Sequence, residues 1–194
     1  MHHEGFRRTG VVSFLSESPL DETLFEPFLA FRRSLGFVPN LFRAQTLRPD
    51  VVQAETDLYA AIVAKDGALS RLQKECIMLV ASVASLSSYC VARHSEMLRH
   101  LDLGGVDPDD LAADHRSAGI PETDKALLDF VEKLTRRPDR MTRDDIETLR
   151  GHGFADAQIL EAVQVTALSA FLNCLAAGLG TVPDETAKAT LREE

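Results

Sequence analysis

A serine, a cysteine and a histidine fall close together in Ser87-Ser88-Tyr89-Cys90-Val91-Ala92-Arg93-His94. Ser87 and Cys90 are three residues apart, and Cys90 and His94 are four apart. On a helix those spacings share a face, so one turn would gather a hydroxyl, a thiol and an imidazole. Ser87 and Ser88 are good N-cap residues, which predicts a helix beginning there with Cys90 in its first turn. The positive end of the helix dipole and a nearby imidazole are then expected to lower the thiol pKa and raise the thiolate fraction. A carboxylate, Glu75, precedes Ser87 by twelve residues. In one unbroken helix that separation is about 18 Å of rise, too far to reach Cys90. The chemistry therefore needs a bend near Leu86–Ser87.

Each of these residues also has a plainer role. Cys90 could be a small buried hydrophobe, as free cysteines often are. His94 could be a helix residue bonded to a backbone carbonyl. Glu75 enters an apolar helix, so it is either paired and pKa-shifted or exposed in the first turn as a dipole partner. Tyr89 either donates its hydroxyl to the site or covers it. Cys76 points about 100° away from Glu75 and is expected to pack in the core, as is Cys174.

The elements that must position these groups all read as helices. Ser18-Pro19 with Asp21 and Glu22 predicts a helix start, with Leu20, Leu24, Phe28 and Phe31 recurring to a stop at Gly36. Pro49-Asp50 opens a second helix, with Val52, Leu58 and Ile62 inward and an end at Asp66-Gly67. Ser70-x-x-Gln73 is a capping box ahead of the longest apolar run, Cys76 to Leu86. That run is about half the ~20 residues that span a bilayer, so it reads as a buried core helix.

The helix carrying His94 is expected to continue through Met97, Leu98 and Leu101 to Gly104-Gly105. Asp107-Pro108 starts a short acidic helix, residues 112–121 read as a loop, and Thr123 to Leu134 is helical. Thr142-x-x-Asp145 caps a helix closed by Gly151 and Gly153. Ala155 to Ala177 is a long apolar helix, and Pro183 begins a charged, solvated terminal one. Phenylalanines and Met141 are assigned to the core. β-branched residues do not alternate with polar ones over any useful length, so the fold class is all-α. Ser70–Gly104 and Thr142–Gly178 share an outline that a divergent hairpin repeat would give.

The chain has 194 residues, a formal net charge of −9 and a pI near 5.2. Its dispersed basic residues disfavour nucleic-acid binding. Three widely spaced cysteines form neither a disulfide framework nor a zinc pattern, so no metal is expected and a reducing cytoplasm is the expected location. No apolar stretch follows the charges of Met1–Gly10, so neither a signal peptide nor a membrane partner is expected.

The pattern Glu75-x11-Ser87-x2-Cys90-x3-His94 resembles the site of AhpD-like alkylhydroperoxidases in the carboxymuconolactone decarboxylase superfamily. Ser88-Tyr89-Cys90-Val91-Ala92-Arg93-His94 is similar to its peroxidase-related branch. So are Gly36-Phe37-Val38-Pro39-Asn40-Leu41-Phe42, Leu69-Ser70-Arg71 and Phe171-Leu172-Asn173 with Gly178. The resemblance covers about residues 18 to 180. It implies an AhpD-like helical bundle spanning 18–194 as one domain, with core motif 70–104 and residues 1–17 as an extension. It also implies a homo-oligomer (dimer, trimer or hexamer) and no cofactor. Cys90 would attack a small-molecule hydroperoxide, with His94 and Glu75 as a proton relay.

Two positions depart from the family. Ser87 replaces the resolving cysteine, and Tyr89 stands where some members have a histidine. Turnover would then need an external thiol reductant or another cysteine. The alternatives are an acid–base enzyme like the decarboxylase branch, with Cys90 incidental, and a catalytically degraded oligomeric member.

Overall fold

The computed structural model describes residues 12–17, 25–101 and 106–184. Among these are nine α-helices and no strand: α1 (Glu26–Leu35), α2 (Asn40–Arg43), α3 (Pro49–Tyr59), α4 (Arg71–Ala84), α5 (Ser88–Leu101), α6 (Pro108–Asp114), α7 (Glu122–Arg136), α8 (Arg143–Gly151) and α9 (Asp156–Leu179). The all-α expectation holds.

Helix α4 is the centre, packed against α5, α6, α7 and α9. Its start is the predicted capping box. The Gln73 amide N–H donates to Ser70 Oγ, and Ser70 N–H donates to Gln73 Oε1, both at 3.1 Å. From Lys74 to Ser82 every residue is buried. Ile77, Met78 and Leu79 are fully so, and burial of each is worth about 1.5–3 kcal/mol. The buried Lys74 ammonium pairs with Glu161 of α9 at 2.7 Å and donates to the Lys65 carbonyl, fixing α4 to α9.

The bend the site requires is present. At the end of α4, Leu86 N–H donates to Val83 O (3.0 Å) and Ser87 N–H to Ser82 O (3.1 Å). That is a Schellman closure, and it puts Leu86 in the left-handed region at φ 57°. Glycine normally fills this position because it has no Cβ to clash. The helix axis reverses within three residues, and Ser87 O accepts from Val91 N–H as α5 begins.

Several elements differ from expectation in detail. Ser18 to Leu24 lie outside the described residues, and the described helix starts at Glu26 after an extended Phe25. It stops, as expected, at Gly36 with φ 80°. After Tyr59, α3 loosens into one π turn, Ala60–Ala64, closed by Lys65 N–H to Ala60 O. Leu58 is exposed rather than inward, because Val52 and Val63 take the buried face.

Leu86, the last residue of the expected apolar run, is exposed at the turn. The expected stop at Gly104-Gly105 lies outside the described residues. The loop expected over 112–121 starts at His115, since α6 holds its turn to Asp114. Cys174 is exposed rather than packed, sharing the outer face of α9 with Leu160 and Phe171. Phe14 is exposed as well. Pro183 and Asp184 are not helical, and residues 185–194 lie outside the described residues. Helix α9 is long and apolar enough to cross a bilayer by composition. Its Ile159, Val165, Leu168 and Leu172 nevertheless pack into the core around α4.

Candidate active site

The α4–α5 reversal brings Glu75 and His94 together. His94 Nδ1 lies 2.9 Å from Glu75 Oε2, and both residues are buried. The other carboxylate oxygen, Oε1, accepts from Arg71 Nε at 3.0 Å and pairs with its second guanidinium nitrogen at 2.7 Å. Burial alone would raise the Glu75 carboxyl. The His94 hydrogen bond and charge, together with Arg71, outweigh it and hold the group below the ordinary carboxylate range. An ionised carboxylate only accepts, so Nδ1 carries the proton and Nε2 is the ring nitrogen left for other work.

Cys90 is in the first turn of α5, as expected, and only 3% exposed. It lines a cavity of about 300 Å³ together with His94, Arg71, Tyr89 and Tyr59. The expectation of a lowered thiol pKa is corrected. Burial pushes the Cys90 thiol up to about 11, and a hydrogen bond with the Ser87 side chain offsets only part of that. Desolvation of a thiolate outweighs the dipole of one helix turn.

Ser87 is buried beside it. Tyr89 is buried too, and its hydroxyl accepts from Leu41 N–H at 3.2 Å and donates to the Asp184 carboxylate at 3.0 Å. Cys76 is buried and lines a separate cavity with Gln73 and Asp124. It shares no wall with Cys90.

Two contributors were not singled out from sequence. Arg71 is four residues before Glu75, and that i,i+4 spacing was a usable signal. Asp184, 95 residues from Tyr89, falls in the terminal stretch expected to be solvated, and it is instead partly buried against the Tyr89 hydroxyl. Its carboxyl is raised by burial, against hydrogen bonds from Asn40 N–H and Tyr89. The chemistry available is proton transfer at His94 in the cavity that a protonated, buried thiol also lines.

A family model described as the carboxymuconolactone decarboxylase family matches residues 49–132, from α3 into α7. No curated protein sequence matches the chain. Among solved structures, the chain is similar to the alkylhydroperoxidase AhpD core of an uncharacterized peroxidase-related protein from Ralstonia eutropha JMP134. The identity is 29% and the TM-score 0.84, over 91% of this chain and 94% of that one. An uncharacterized peroxidase-related protein from Silicibacter sp. TM1040 is 26% identical with TM-score 0.82, over 93% and 96%. The debrominase Bmp8, in complex with 2,3,4-tribromopyrrole, shares the fold at 21% identity and TM-score 0.75, over 96% and 98%. With the family match running across the helices that carry Glu75, Cys90 and His94, and the same fold kept from end to end in those peroxidase-related structures, the chain belongs to the AhpD-like/carboxymuconolactone decarboxylase superfamily.

Proposed function

We propose that the protein is a thiol-dependent hydroperoxide reductase working with one cysteine, Cys90. The observation that carries this reading is a single cavity lined by both Cys90 and His94, with the imidazole held from behind by the buried Glu75. A thiol with a pKa near 11 is roughly one part in ten thousand thiolate at pH 7, so it depends on a base. Nε2 of His94 takes the Cys90 proton as the sulfur attacks the terminal peroxide oxygen. The S–O bond forms, the O–O bond breaks, and the departing alkoxide recovers the proton from the imidazolium as an alcohol.

Cys90 is then a sulfenic acid. An external thiol attacks its sulfur, releasing water and leaving a mixed disulfide. A second thiol resolves that to a disulfide and regenerates Cys90. Ser87 cannot perform this step, and neither Cys76 nor the exposed Cys174 lines the cavity. The same reading takes residues 18–194 as one domain and expects a cytoplasmic homo-oligomer, which sedimentation measures.

The test is hydroperoxide consumption with dithiothreitol as reductant, with mass spectrometry for a trapped sulfenate. Loss in both Cys90→Ser and His94→Ala supports the proposal, and a wild-type enzyme that forms no Cys90 sulfenate sinks it. The raised thiol pKa favours a second reading, in which His94 and Glu75 do acid–base chemistry on a carbon acid and Cys90 is incidental. Activity on such a substrate that survives Cys90→Ser but not His94→Ala selects that alternative.

A further inference from the structure

The cavity holding Cys90 and His94 is one-sided in charge. Arg71, Arg93, His94 and His100 line it, and no described aspartate or glutamate does, in a chain with a formal net charge of −9. The acids that pair with these bases stand outside the wall. Glu75 is buried against Arg71 and His94, and Glu96 meets Arg93 from one turn along α5. Asp184 acts on Arg93 only through its field. Two guanidinium groups therefore line the cavity while the carboxylates that pair with them lie behind the wall.

Among the lining cations, Arg93 keeps the most capacity. Arg71 commits two nitrogens to Glu75 at 3.0 and 2.7 Å. Arg93 has a long contact to Glu96, 3.4 Å, against a guanidinium's five N–H donors. Its guanidinium carbon lies 5.3 Å from the Phe37 ring centroid, and the side chain is 14% exposed. A planar cation held on an aromatic ring and shielded from water suits a carboxylate.

Much of the remaining wall is hydrocarbon, supplied by Phe31, Leu35, Leu41, Phe42, Met97 and Leu172. The cavity volume of about 300 Å³ is roughly ten water molecules' share of liquid, and it falls in the range of small-ligand sites. Hydrogen peroxide needs neither that room nor that wall.

We infer that the cavity takes an amphiphilic organic anion, with its carboxylate on Arg93 and its hydrocarbon body against the phenylalanines and leucines. This rests on the thiol-peroxidase reading for its chemistry: the substrate would be a hydroperoxide of an aromatic or medium-chain carboxylic acid. Arg93 sets specificity, and the anion site itself needs no turnover to be observed.

Two arms test it. Calorimetry with the wild type compares 4-isopropylbenzoate with 4-isopropylbenzamide, which differ in charge but hardly in shape. The acid is expected to bind at least tenfold tighter, with the preference weakening at high salt. It should be lost in Arg93→Met and partly kept in Arg93→Lys. Equal affinity for acid and amide in the wild type overturns the inference even if no variant folds. So does a preference that survives Arg93→Met.

The second arm compares kcat/KM for cumene hydroperoxide and its para-carboxylate derivative. A ratio of at least tenfold in favour of the carboxylate, collapsing in Arg93→Met, is expected. Binding of the acid with turnover of neither hydroperoxide sinks the peroxidase reading and leaves the anion site standing. Turnover without a charge preference does the reverse.

Discussion

His94 donates from Nδ1 to the Glu75 carboxylate across 2.9 Å, although nineteen residues and a reversal of the chain separate them. The bond fixes the imidazole tautomer, and the Arg71 guanidinium on the opposite oxygen keeps the carboxylate ionised. On the proposed reading His94 Nε2 is the ring nitrogen that exchanges protons with the cavity, and the charge that supports it is buried in α4 rather than borrowed from solvent.

That arrangement makes acid sensitivity predictable. The Glu75 pKa lies below its ordinary value of 4.5 in the folded state, so the unfolded chain binds the proton more readily. Its stabilising contribution is complete above the unfolded value and is lost as pH falls through the lower folded value. Glu75→Gln is expected to cost roughly 3 kcal/mol at pH 7, because it strips the charge partner from Arg71 and His94. In urea denaturation the gap between variant and wild type should narrow at pH 3.5. A gap of the same size at both pH values contradicts the assignment.

Glu55 in α3 behaves in the opposite sense. It is buried, and neither carboxyl oxygen makes a hydrogen bond among the described residues. Burial raises the group to about 7, and the neighbouring Gln45, whose amide donates to the Leu41 carbonyl, offsets little of that. A folded-state pKa above the unfolded one means stability that is complete below about pH 4.5 and lost as pH rises through about 7. Glu55→Gln should therefore match the wild type near pH 4 and exceed it by up to about 3 kcal/mol at pH 9. Denaturation curves at those two pH values decide it, and a variant weaker at both refutes the account.

Leu86 holds φ 57° at the α4–α5 turn while its side chain is 86% exposed, so it suffers the left-handed conformation without packing in return. Leu86→Gly is expected to stabilise the protein by about 0.5–1 kcal/mol, since the Cβ clash disappears while the unfolded chain gains some entropy. Leu86→Ala keeps the Cβ and should show no such gain. Thermal melts of the pair separate the two effects. Equal melting temperatures would place the strain elsewhere.

That leucine also explains how much of the site could be read from sequence. The i+3 and i+4 spacing of Ser87, Cys90 and His94 is local, and one helical turn realises it directly. The capping box at Ser70 marks the start of α4, but its end carries no glycine, so the reversal stayed conditional on a bend that Leu86 conceals. The Cys90 pKa depends on how completely the folded chain buries the thiol. No spacing encodes that burial, and a dipole argument pointed the wrong way. Cys174 was misplaced for a related reason. In an almost wholly apolar helix nothing in composition separates the inner face from the outer, where Leu160 and Phe171 also lie.

Tyr89 ties this cavity wall to the end of the described chain. Its hydroxyl accepts from Leu41 N–H at 3.2 Å and donates to Asp184 at 3.0 Å, and Asp184 in turn accepts from Asn40 N–H at 2.7 Å. The start of α2 thus has two backbone donors satisfied by one phenol and one carboxylate. Tyr89→Phe leaves the Leu41 donor unpaired in a buried setting, which should cost about 1–3 kcal/mol. Asp184→Asn keeps an acceptor for Asn40 and should cost less. Because the two side chains share partners, the double variant should lose less than the sum of the singles, by at least about 0.5 kcal/mol. Additive losses in a double-mutant cycle would mean that the phenol and the carboxylate act on α2 independently.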